Sequence, residues 1–144
     1  MSDLSKAAKI AFSTEYAFVI KAQNFHWNVE GVLFETYHAL FGGIYEEVYA
    51  SIDDFAENIR KLGAYTPASF EKFSMLSQVQ GENEVLQFEA MCQELLSDNE
   101  KTIKILKMVY DLAEQAGEHG FSNFLAERMD AHKKHGWMLR ASLK

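Results

Sequence analysis

Cysteine, proline and long apolar runs are all scarce in this chain of 144 residues, and each scarcity removes a class of answer. The single cysteine, Cys92, permits neither an internal disulfide framework nor a cysteine-built zinc module, and it suits a reducing compartment. The single proline, Pro67, leaves long stretches free to run as unbroken helix. No stretch approaches the ~18 consecutive apolar residues of a membrane span, so no membrane role is expected. Positive charge is short too: 14 Lys and Arg against 21 Asp and Glu give −7, with a pI near 5.2. That balance opposes sequence-independent attraction to DNA or anionic membrane. The segment Met1–Lys9 lacks the charged-then-apolar layout of a secretory leader, so a cytoplasmic location is expected.

What is present is enough to fold. Hydrophobic residues make up 48% and charged residues 24%, the proportions of a soluble globular chain and not of a disordered one. The length suits one domain, residues 1–144. The acid sits mid-chain: residues 31–124 carry six bases and sixteen acids, whereas the last twenty carry five bases and two acids. A solvated helix face accounts for most such groups.

Apolar spacing predicts four long helices. The first covers about Asp3 to Asn28, with Leu4, Ala8, Ala11, Phe18, Ala22 and Phe25 spaced by four and three. A second line, Phe12, Tyr16 and Val19, makes it apolar on two faces, as in a helix covered by its own bundle and by a neighbouring subunit. The second helix covers about Glu35 to Leu62, with Tyr45, Tyr49, Ile52, Ala56 and Ile59 inward. A long connection follows, in which Thr66 caps and Pro67 opens a short helix ending at Phe73. The third helix runs from about Glu84 to Ala116 and the fourth from about Ser122 to Leu143, the latter with Leu125, Met129, Trp137 and Leu139 among its apolar positions. Two short connections and one long crossover define an all-α, ferritin-like four-helix bundle with a short extra helix in the crossover.

Histidine and carboxylate placement raises the question of a metal. His26 ends the first helix and His38 lies early in the second. Asp53 and Glu57 are four apart, so their carboxylates share one helix face, and Glu46 falls close to the same line. Imidazole nitrogen with carboxylate oxygen suits iron, zinc or manganese. Pairs of acids at this spacing are also commonplace on solvated helices. An intra-bundle di-iron site needs two Glu-x-x-His pairs, and only Glu35-Thr36-Tyr37-His38 is present.

Three segments then carry a resemblance. They are His26-Trp27-Asn28-Val29-Glu30-Gly31 with Phe34 and His38, the run Asp53-Asp54-Phe55-Ala56-Glu57-Asn58-Ile59-Arg60-Lys61-Leu62-Gly63, and the closing His132-Lys133-Lys134-His135-Gly136-Trp137. Together the chain resembles the Dps family, the mini-ferritins named for DNA protection during starvation. The resemblance implies a hollow shell of twelve subunits that oxidises Fe(II), with peroxide or oxygen, and stores the ferric product. It implies metal ligands His26 and His38 from one subunit and Asp53 and Glu57 from another, with Trp27 beside the iron. The family's usual aspartate four residues after the second histidine is here Gly42, followed by Gly43. One strong iron position and a weaker second are therefore expected, and zinc is a competitor for the same donors.

Glu127 and Asp130 are the acids left for an entry pore, Asn123 standing where the family has aspartate. Glu46 and Glu47 are candidate nucleation groups for ferric mineral, and His132 with His135 could share a metal at i, i+3. Two other functions remain open: a shell with impaired ferroxidase activity that binds metal passively, and a DNA-compacting structural protein. The second is poorly served, since the first nine residues offer only Lys6 and Lys9 as bases.

Overall fold

Each of the four apolar stripes becomes a helix in the computed structural model, which describes residues 2–144. Met1, the first residue of the expected domain and leader-less start, lies outside the described residues. Helix α1 spans Asp3–Asn28, α2 Phe34–Lys61, α3 Phe70–Leu76, α4 Phe88–Gln115 and α5 His119–Ser142. No strand forms among the described residues, and none of these helices is long and apolar enough to cross a membrane. α1 packs on α2, α4 packs on α5, and α1 joins the two hairpins by packing on α4 as well. This is the ferritin-like four-helix bundle, with α3 in its long crossover.

A heptad-like spacing builds the core. On α1 the residues Leu4, Ala8, Ala11, Phe18, Ala22 and Phe25 are all buried, as their spacing predicts. On α2 the buried stripe is Phe41, Ile44, Val48, Ile52, Phe55 and Ile59. The expected line began one residue off, at Tyr45 and Tyr49, a rotation of ~100°; Tyr49 is 55% exposed. Of the apolar positions of α5, Leu125 and Leu139 are buried, whereas Trp137 is 60% exposed because its neighbour Gly136 faces inward. Phe18, Phe25, Phe41 and Phe55 are fully buried, and each stabilises the fold by roughly 1.5–3 kcal/mol.

The second apolar line of α1 is covered from within the chain. Phe73 of α3 stacks on Tyr16 at 4.5 Å and lies 6.0 Å from Phe12. α3 starts three residues later than expected because Ser69 caps it, its Oγ accepting from the Lys72 amide at 3.2 Å. Thr66 is engaged elsewhere, donating to the Ala56 carbonyl at 2.7 Å and so tying the crossover to α2. α4 begins at Phe88 and not Glu84, whose amide donates to the Glu82 carboxylate at 3.0 Å in the preceding turn. The crossover returns along α1, where Asn24 donates to the Glu82 carbonyl and the Gln78 amide donates to Thr14. Gly63 and Gly117 close α2 and α4 at φ of 86° and 74°, where a Cβ would be strained.

Candidate metal centre

The short connection between α1 and α2 folds the end of one helix back on the start of the next, and this brings His26 and His38 face to face. Their rings stack at 3.8 Å with planes 13° apart. Phe34 continues the stack from His38 at 4.9 Å, and Tyr45 lies 5.4 Å from His26. His26 Nδ1 donates to the His38 carbonyl at 2.6 Å, and His38 Nδ1 donates to the His26 carbonyl at 2.5 Å. A carbonyl only accepts, so both Nδ1 atoms carry a proton, and in the neutral form of each ring Nε2 presents a bare lone pair. This is the tautomer that binds metals, held by the backbone. Because the ring planes are almost parallel, the two lone pairs do not converge on a single ion, and each is a donor in its own right.

Asp53 and Glu57 share an exposed face of α2, as their spacing predicts. They are not near the histidines. α2 is continuous from Phe34 to Lys61, so His38 and Asp53 are separated by roughly 22 Å along its axis at 1.5 Å per residue. Among the described residues no group of three or more His, Cys, Asp or Glu side chains is close enough to hold an ion. Glu57 lines a surface cleft of about 430 Å³ with Asp54, Lys61 and Glu118. Trp27 is 63% exposed beside the histidine pair and is not a core residue. Glu46, Glu127 and Asp130 are exposed.

Two expectations are overturned. His132 and His135 do not share a metal, and Glu47 is not a free carboxylate. His132 is fully buried, with Nε2 donating to Glu15 at 2.6 Å and Nδ1 at 2.7 Å from Asn99 Oδ1. The Asn99 amide nitrogen donates to the His132 carbonyl at 2.8 Å, which turns its oxygen toward the ring. Both ring nitrogens therefore face acceptors, leaving no lone pair for a metal. Glu47 accepts from Arg128 at 2.6 and 3.1 Å and from His135 Nε2 at 2.7 Å. Arg128 also reaches Glu15, at 3.3 Å.

Burial alone would push the Glu15 carboxyl up; His132 and Arg128 outweigh it and hold it below the ordinary range. Partial burial of Glu47 is likewise outweighed, by hydrogen bonds from His135 and Arg128, and its carboxyl is held down to about 2. A guanidinium thus occupies the space between carboxylates of α1 and α2. Sequence reasoning missed this network, although Glu15 falls in the gap of the α1 stripe between Ala11 and Phe18, where an apolar residue belongs.

Comparison with known proteins agrees with the fold. A ferritin-like domain model matches residues 7–144. The chain is 32% identical over 123 residues to the DNA protection during starvation protein 2 of Bacillus anthracis, covering 85% of this chain and 84% of that protein. It is 30% identical over 131 residues to a low temperature-induced protein of Nostoc, covering 90% and 73%. The crystal structure of a Dps protein from Vibrio cholerae, a member of a broad superfamily of ferritin-like diiron-carboxylate proteins, superposes with a TM-score of 0.93 at 26% identity, covering 98% of this chain and 89% of that one. With family model, relatives and bundle in agreement, the chain belongs to the Dps family of the ferritin-like superfamily.

Proposed function

We propose that this protein is an iron-storing mini-ferritin that oxidises Fe(II) at sites shared between subunits of a homo-oligomeric shell. The observation that carries the reading is the reciprocal Nδ1-to-carbonyl bonding of His26 and His38, which leaves the Nε2 atom of each ring as the metal donor at the end of the α1–α2 hairpin. Neutral nitrogens hold Fe(II) as substrate, and carboxylates favour the Fe(III) product. The required carboxylates, Asp53 and Glu57, lie too far along α2 to serve the same chain's histidines, so they serve those of a second copy. Two Fe(II) ions give up two electrons, and hydrogen peroxide takes these with two protons to form two waters; oxygen is the alternative acceptor. Trp27, exposed next to His26, lies beside the metal in this arrangement. Glu46, Glu127 and Asp130 remain candidates for nucleating mineral or lining an entry path.

Stopped-flow oxidation of Fe(II), with peroxide and with oxygen, tests this. Asp53→Ala/Glu57→Ala is expected to slow oxidation by about tenfold or more, and rates equal to the native protein's would refute the reading. Zn(II) is expected to inhibit, because it outranks Fe(II) for such donors. A second reading, a shell that binds metal passively, is favoured by Gly42, which adds no oxygen donor beside the histidines. It is distinguished by metal binding without oxidation.

A further inference from the structure

Two adjacent glycines interrupt α2 one turn beyond His38, each costing roughly 1 kcal/mol of helix relative to alanine. Neither is needed for a left-handed turn, since both lie within the helix. Their surroundings differ. A Cβ on Gly43 would meet nothing within 4 Å. A Cβ on Gly42, which is buried, would lie 2.7 Å from His26 Cε1, 2.8 Å from Nδ1 and 3.5 Å from Nε2. The first two are closer than van der Waals contact allows, so any side chain at this position displaces the ring.

We infer that Gly42 is a positioning residue for the metal-binding histidine pair: its missing side chain lets the His26 imidazole lie on the α2 backbone, stacked on His38, with Nε2 bare. Two contacts hold the ring in this place. It stacks on His38 at 3.8 Å, and its Nδ1 is bonded to the His38 carbonyl at 2.6 Å. One of the two atoms a Cβ would strike is the same Nδ1, so the clash falls on the tautomer-fixing bond. His38 is affected less, because its own Nδ1 bonds to the backbone of His26 and not to its ring. An aspartate at position 42, the family's usual residue, requires the His26 ring to leave this pose, because its Cβ takes the space that the ring uses.

The inference rests on the reading of His26 and His38 as metal donors, and its test does not depend on iron oxidation. Imidazole ¹⁵N spectra of the metal-free protein, at a pH where the rings are neutral, report the tautomer of each histidine. Gly42→Ala is expected to move His26 away from the Nδ1–H form and leave His38 in it, whereas Gly43→Ala moves neither. Calorimetric titration with Co(II) is expected to show affinity lowered about 10–100-fold by Gly42→Ala, in the manner of lost support around a ligand, and unchanged by Gly43→Ala. Gly42→Asp is expected to displace His26 as Gly42→Ala does.

A stability cycle separates the clash from general damage to the helix. In a His26→Ala background, Gly42→Ala is expected to raise the urea midpoint, since alanine favours helix and no ring is struck. In the native background it is expected to lower it. Equal changes in both backgrounds, an unmoved His26 tautomer in Gly42→Ala, or Co(II) affinity in Gly42→Ala equal to the native protein's would each overturn the inference. If native protein fails to oxidise Fe(II) while these readouts behave as stated, the proposed activity falls and the positioning role stands.

Discussion

Glu15 shows how one residue can pass unnoticed in a sequence and then explain much of a core. Its carboxylate is fully buried and meets His132 at 2.6 Å and Arg128 at 3.3 Å. Such groups stand or fall together, because removing one leaves a buried charge without its partner. Glu15→Gln is expected to lower unfolding free energy by about 3–5 kcal/mol, measured by urea denaturation; a loss below about 1 kcal/mol would show that the charges are not coupled. The position was legible as an anomaly, a carboxylate inside a four-and-three stripe, but its partners were not. Arg128, His132 and Asn99 lie on two other helices, and side-chain partners across a bundle leave no local mark in the chain. His26 and His38 were legible for the opposite reason: they flank one short connection, so local folding alone brings them together.

At the scale of elements, helix identity followed from period, and the errors were errors of phase and of competition. Tyr45 and Tyr49 were one residue out of phase with the true stripe of α2, and Thr66 lost the capping role because the Ala56 carbonyl was within its reach. The face of α2 toward α5 combines aromatic contact, Phe55 against Phe124 at 5.4 Å, with the bonds of Glu47 to Arg128 and His135. These bonds make the seam sensitive to acid. The Glu47 carboxyl titrates near 2 when folded against an ordinary 4.5, so its contribution is complete above about 4.5 and is lost as pH falls toward 2. Urea midpoints measured down this range are expected to fall, and to fall less steeply in Glu47→Gln; parallel slopes would remove Glu47 from the account.

At the scale of the whole molecule, charge and mass carry the argument. In the proposed twelve-subunit shell a chain at −7 sums to −84, a charge expected to oppose binding to DNA and to draw cations. Light scattering is expected to give about 197 kDa for twelve copies of 16.4 kDa, and a monomer mass would leave the histidine pair without Asp53 and Glu57. The division of labour inside each subunit has a further consequence. Where a metal-built bundle must find its ion before its carboxylates can be buried, this one closes around Arg128, a cation encoded in the chain itself. Folding of the subunit is thereby expected not to depend on iron supply, because the cation among its inner carboxylates is part of the chain; on the proposed function, the container is built before its cargo arrives.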